Sequence, residues 1–210
     1  MSDTEPPNSK ERPIQTFGSH AYPIEQKDGH TVLDEEFEEV PIEHIPSTGR
    51  GNSSDGKTWL NPSAGQLYRS CHRKNKGLEV DDAPAMSSTH VAITEGTWNA
   101  ILEYENLHKS SCPEVKLARF WGMFEQHTIK ARLIHSLGND YPFDRHDWVV
   151  DRCGKEVRYI IDYYSTQKNG STDDDDLEFF IDARPAPNFF GLVDRAHLAF
   201  NKWRAGESWW

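Results

Sequence analysis

Glu156-Val157-Arg158-Tyr159-Ile160-Ile161-Asp162-Tyr163-Tyr164 and, after a break, Leu177-Glu178-Phe179-Phe180-Ile181-Asp182-Ala183-Arg184 decide the fold class. Both runs are rich in β-branched and aromatic side chains, the composition of strands. The link between them, Ser165 to Asp176, holds Gly170 and four consecutive aspartates and reads as a solvated hairpin loop. An antiparallel hairpin over about 156–184 follows. Just downstream, Asn188 can cap a helix in which Phe189, Leu192, Val193, Ala196, Phe200 and Trp203 form a stripe at helical spacing.

Working upstream, Asn61-Pro62 reads as a helix start, with Leu67, Tyr68 and Cys71 sharing a face and Gly77 as the stop. A second helix is expected over about Gly96–Lys109, where Trp98, Ile101, Leu102 and Glu105 fall on one side; it runs into Cys112-Pro113, and a residue before proline leaves helical geometry. Val115, Leu117 and Phe120-Trp121 suggest one strand, and Ile129–Ile134 another. Residues 1–57, with Pro6, Pro7, Pro13, Pro23, Pro41 and Pro46 and an acidic patch over Asp34–Glu39, read as a disordered acidic arm. The expected architecture is α+β: a single domain, 58–210, whose short antiparallel sheet is packed by several helices.

The whole chain has 210 residues and a formal net charge of −11. An acidic balance opposes an electrostatic grip on nucleic acid and suits a cationic partner. Seven Trp, seven Tyr and ten Phe in a chain only 36% apolar indicate an aromatic core joined to a segment that does not pack. No apolar run approaches the roughly 20 residues that span a bilayer. Met1 to Arg12 are polar and of mixed charge, unlike a secretory signal or an Arg-rich presequence. Three cysteines, Cys71, Cys112 and Cys153, are too few and odd for a disulfide framework, so the fold is not expected to rely on oxidation.

Ten histidines invite a metal reading, yet there is no CxxC, HExxH or EF-hand loop. His20, His30 and His44 belong to the arm. The densest polar cluster is Pro142-Phe143-Asp144-Arg145-His146-Asp147-Trp148, followed by Asp151-Arg152-Cys153-Gly154. Two readings stand side by side. One is a loop knitted by Asp–Arg pairs and anchored by Phe143 and Trp148. The other is a site in which two guanidinium groups and an imidazole face an anionic ligand.

Asn61-Pro62-Ser63, the spacing of His90, Glu95 and Trp98, Pro142–Trp148, Arg152-Cys153-Gly154-x-Glu156-Val157-Arg158-Tyr159, Ile161-Asp162-Tyr163-Tyr164 and Asp182-Ala183-Arg184-Pro185-Ala186 occur in this order. Together they resemble the holocytochrome c synthases, or cytochrome c haem lyases, over roughly Trp59 to Trp203. The resemblance implies an enzyme, a carbon–sulfur lyase. It would take haem b as bound substrate and join its vinyls to the thiols of a Cys-x-x-Cys-His segment of apocytochrome c. It also implies a peripheral place on the mitochondrial inner membrane, on the intermembrane-space side.

Residue by residue, the resemblance makes His90 the axial ligand of haem iron, although spacing alone puts His90 just ahead of a helix. Glu95 corresponds to a residue required for function, fixing the His90 loop. Trp59 corresponds to an aromatic placed against the porphyrin. Arg152, with Arg145 or Arg158, would neutralise propionates, and His146 is a second shared histidine. The departures are an arm without cysteine, where family members carry Cys-Pro motifs, and Val91 where the family usually has asparagine. Two other classes remain: a haem-binding sensor or carrier without chemistry, and a metal hydrolase built from His127, His135 and His146.

Overall fold

A computed structural model describes residues 41–48, 58–123, 126–167 and 177–207. The fold is α+β. Strand β1 (Pro41–Pro46) pairs antiparallel with β2 (Thr58–Leu60). Helices α1 (Ala64–Arg73) and α2 (Ala83–Glu105) follow, with a short 3-10 turn at Asn106–His108. Then come β3 (Lys116–Gly122), α3 (Ile129–Ser136), β4 (Asp144–Arg152), β5 (Lys155–Gln167), β6 (Leu177–Pro185) and α4 (Phe189–Ala205). Strands β3-β4-β5-β6 form one antiparallel sheet in that order.

The β5–β6 hairpin lies where the sequence places it, with Ile161 opposite Ala183. Its aspartate-rich link, 168–176, falls outside the described residues. β4 is a correction. The Pro142–Trp148 region is not a loop; from Asp144 onward it is a strand between β3 and β5, with Trp148 opposite Tyr159. Successive side chains point to opposite faces. Trp148 and Val150 therefore join the core beneath α2, whereas Arg145 and Asp147 are buried on the other face. A strand covered on both sides, with ion pairs on one, lacks the alternation of a half-solvated strand. The Asp–Arg pairing expected for a loop does exist, and Trp148 anchors it, but Phe143 is exposed.

α2 also departs from expectation, beginning at Ala83 rather than near Gly96. Its first half is heavy in Ser and Thr, poor helix formers because their hydroxyls compete for backbone groups. Here those hydroxyls donate to the carbonyl four residues back: Ser88 to Pro84, Thr89 to Ala85, Thr94 to His90 and Thr97 to Ile93. Gly96 lets the helix approach the sheet, since a Cβ there would lie 2.8 Å from Ile181 Cδ1.

α1 starts two residues later than expected. Ser63, not Asn61, closes a capping box with Gln66, and the helix ends at Arg73 ahead of left-handed Asn75. Ile129–Ile134 is helical rather than a strand, capped by the Thr128 hydroxyl on the Ala131 N–H at 3.1 Å. Pro41–Pro46, assigned to the arm by composition, is β1; Ile45 is fully buried in the core, and the Thr48 N–H reaches the Leu117 carbonyl at 3.0 Å. The remainder of the arm, 1–40 and 49–57, lies outside the described residues.

Cys112 and Cys153 form a disulfide, with Cα atoms 5.7 Å apart across 41 residues of sequence. The expectation that the fold does without oxidation is corrected. Cys153 and Gly154, both at positive φ, make the two-residue β4–β5 turn and bring the sulfur back beside the end of α2. Cys71 is a free thiol.

Candidate functional site

Two groups of candidate residues occupy opposite ends of α2. At the first end, His90 is exposed on the helix. The sheet presents His146 from β4, close enough that a charge on His90 acts on it. Burial pushes the His146 imidazole below the usual histidine pKa, and a charged His90 would lower it further, while Asp144 works the other way. His146 is therefore held neutral, with Asp144 Oδ2 3.4 Å from Nδ1.

Aromatic rings frame this pair. Phe120 lies 6.2 Å from His146 and Tyr163 5.6 Å, both edge-on, and Trp59 packs edge-on to Phe120 at 4.8 Å. Asn61 fixes the end of β2 to α2, since its Oδ1 accepts from the Thr94 hydroxyl at 3.3 Å, one turn beyond His90. Burial raises the Tyr163 pKa and outweighs the opposing pull of its 3.0 Å hydrogen bond with Thr97, so it stays a neutral phenol. His90 thus lies within electrostatic reach of His146, and Trp59, buried in the core, backs the Phe120 ring that stands edge-on to His146.

Glu95 is half-buried in the same uninterrupted helix. No loop around His90 exists for it to fix, and five residues rotate it about 140° from the His90 direction.

Arg152 is at the far end. Its Nε and Nη2 donate to the two Glu105 oxygens at 2.6 and 2.9 Å, and Nη2 also lies 3.4 Å from Asp194. Glu105 Oε1 accepts from the Tyr159 hydroxyl at 2.6 Å, and Asp194 pairs with His108 at 2.9 Å. Burial alone would lower the Arg152 pKa, but the hydrogen bond and charge of Glu105 outweigh it and hold the guanidinium above its usual value. Fifteen residues of helix separate His90 from Glu105, about 22 Å. Arg152 is a buried structural cation at that distance.

Arg145 and Arg158 lie on the sheet face opposite His146, both pinned by fully buried Asp147. Arg145 Nη1 also donates to the Gln126 carbonyl at 2.7 Å. Of the three arginines expected to share propionates, Arg145 and Arg158 therefore converge on Asp147, while Arg152 is held elsewhere by Glu105. The hydrolase reading fails as well. His127 and His135 are stacked on the two sides of Tyr141, at 4.0 and 3.8 Å, and among the described residues no three His, Cys, Asp or Glu converge as metal ligands.

The family described as cytochrome c/c1 heme lyase matches residues 33–199. The chain belongs to that family. It is 36% identical over 178 residues to a chicken protein named holocytochrome c-type synthase, an alignment covering 81% of this chain and 63% of the chicken protein. A fission yeast protein named putative holocytochrome-c1 synthase is 34% identical over 166 residues, 78% of this chain and 75% of that one. The human holocytochrome c-type synthase is 33% identical over 178 residues, 81% of this chain and 64% of the human protein. The chain spans a little under two thirds of the chicken and human relatives. No solved structure matches.

Within this member of the cytochrome c/c1 heme lyase family, sequence reasoning missed Glu105, Asp194, His108 and the disulfide, which together brace the far end. Glu105 did leave a signal. It stands on the same helical side as Trp98, Ile101 and Leu102, and an acid on an apolar stripe implies a buried partner.

Proposed function

We propose that this chain attaches haem to an apocytochrome c by forming thioethers between the haem vinyls and the thiols of a Cys-x-x-Cys-His segment. The observation that carries this reading is the exposed His90 within electrostatic reach of His146, which stands edge-on to Phe120, in a chain of the haem lyase family. Each bond adds a thiol across a vinyl, with sulfur going to one carbon and the proton to the other. The addition needs no redox partner, so what a protein supplies is position and thiolate character.

His90, exposed on a helix, would offer an imidazole nitrogen to haem iron. The bound haem would supply the two vinyls, and the histidine of the substrate segment would help bring both thiols to them. His146, kept neutral by burial, brings no positive charge toward the iron and can orient His90 through a hydrogen bond. Partly exposed Phe120 supplies apolar surface for the macrocycle, and Trp59, buried in the core, backs it edge-on. Arg152 acts at a distance, by holding the sheet against the end of α2. The enzyme's own cysteines take no part, because two are bridged and Cys71 belongs to α1.

A place on the intermembrane-space surface of the inner mitochondrial membrane completes the proposal. No helix among the described residues is long and apolar enough to cross a membrane, which is compatible with peripheral contact. Coexpression with an apocytochrome c carrying the Cys-x-x-Cys-His segment tests the reading. The expected product is pigment that resists acid–acetone extraction. Haem bound to the chain with no covalent pigment would make it a carrier or sensor and overturn the proposal.

A further inference from the structure

α4 docks on the domain by its polar face. Asp194 reaches Arg152 and His108, the Arg195 guanidinium donates to the Pro185 carbonyl, and Lys202 Nζ lies 2.7 Å from Glu103. Gly191 presses so closely that a Cβ there would lie 2.0 Å from the Ala186 carbonyl oxygen. The apolar stripe points away from the domain. Phe189, Phe190, Leu192, Val193, Phe200 and Trp203 are between 49% and 75% exposed. They run about 21 Å along the helix. A helix that only had to cover the sheet would be turned half a rotation from this, and a contiguous apolar face of such length marks an interaction site.

Charge identifies the occupant. Of the α4 cations, Arg195 and Lys202 are held on the domain side by the Pro185 carbonyl and Glu103. This leaves Arg204 exposed, with exposed Lys155 of β5 near the other end of the stripe; the helix's single acid, Asp194, is buried on Arg152. At the N-terminal end of the stripe, Phe190 and Val193 run into a cleft of about 440 Å³ shared with His108, Arg152, Lys155 and the disulfide. The Lys155 ammonium sits 4.2 Å over the Phe190 ring. Aromatic side chains edged by cations, on a helix too short and charged to cross a membrane, match the headgroup region of an anionic bilayer. A second copy would set the same cations against one another, and a basic polypeptide would meet like charge.

We propose that the aromatic face of α4, with Lys155 and the cleft beside Phe190, is the surface that docks this protein on anionic phospholipid. The inference deepens the peripheral placement proposed above and rests on it. The surface lies at the Glu103–Glu105 end of α2, which leaves His90, roughly 20 Å along the same helix, clear of the bilayer and open to substrate.

Flotation of the full chain with phosphatidylcholine vesicles, with and without phosphatidylglycerol, tests this without haem or cytochrome. The chain is expected to float with the anionic vesicles, to do so less as salt rises, and to stay behind with phosphatidylcholine alone. A Phe190→Ser, Trp203→Ser double variant should lower the partition roughly tenfold or more. Lys155→Glu should lower it for anionic vesicles, and both variants should keep the parent's circular dichroism and unfolding midpoint. Flotation unchanged by these substitutions, or none at all, overturns the assignment. So does a lipid-free dimer in sedimentation velocity that the double variant abolishes, because a second copy would then be the occupant. Failure here leaves the thioether reading standing, while a chain that floats but yields no covalent pigment defeats only that reading.

Discussion

Replacing Glu105 by Ala probes whether Arg152 works through the fold or on the substrate. In the parent, Arg152 has a side chain 9% exposed, and Glu105 engages its Nε and Nη2 and holds the Tyr159 hydroxyl. The substitution leaves a buried guanidinium with Asp194 at 3.4 Å as its remaining acid, and strands a buried phenol. Removing one partner of a buried pair costs about 3–5 kcal/mol. The stranded hydroxyl adds to this without full additivity. In a chain of this size each kcal/mol moves the melting temperature by about 2–4 °C, so the expected drop is about 6–20 °C. Removing both charges together, Glu105→Leu with Arg152→Met, should cost about 2 kcal/mol or less, because no buried charge is left alone. Urea unfolding of the oxidised chain at neutral pH reads each variant. The reasoning is refuted if Arg152→Met unfolds within about 0.5 kcal/mol of the parent yet abolishes thioether formation, since Arg152 would then act on the substrate directly.

Other expectations follow from the same geometry. Reducing the Cys112–Cys153 bridge, or replacing either cysteine by Ser, releases a loop whose ends are 41 residues apart, and chain entropy sets the loss at about 4 kcal/mol, measurable as a lower urea midpoint with dithiothreitol. His146 should titrate below 6.5 by NMR, and His90→Ala should raise its midpoint without restoring the full value, because burial is the larger cause. The sign follows directly: between the depressed pKa and 6.5 the unfolded chain binds a proton that the folded chain refuses. Stability therefore rises with pH across that window, and the contribution of a neutral His146 is lost as pH falls through it. Gly191→Ala forces a methyl against the Ala186 carbonyl and should loosen α4 at a cost of about 1–3 kcal/mol, seen as faster amide exchange in that helix.

The sheet hairpin and the Asn188 cap of α4 were legible because each depends on local chemistry: runs of β-branched and aromatic residues, and a side chain that accepts the Gly191 N–H at 2.8 Å. β4 was opaque because the buried Asp147 that pairs with Arg145 in the same strand is satisfied only once Arg158 reaches it from β5. The first half of α2 was hidden by Ser and Thr whose competition is resolved only once the helix exists. The disulfide could not be read from spacing, since the β4–β5 turn alone brings Cys153 to Cys112. Periodicity located the α4 stripe but could not say which way it faces. Of the residues named from resemblance, His146 lies within electrostatic reach of His90, while Trp59 is packed into the core behind Phe120. Arg145, Arg152 and Arg158 stand away from His90 by strand alternation and by the length of α2.

The most direct test of the account is the optical and electron paramagnetic spectrum of haem held by the full chain, parent against His90→Ala, with apocytochrome c present. His90 is exposed, so the variant should keep the parent's circular dichroism. The account expects the parent to give a low-spin spectrum with two imidazole ligands, and the variant to lose that signature together with covalent product. A His90→Ala chain that keeps full haem occupancy, the same spectrum and normal thioether yield would contradict it.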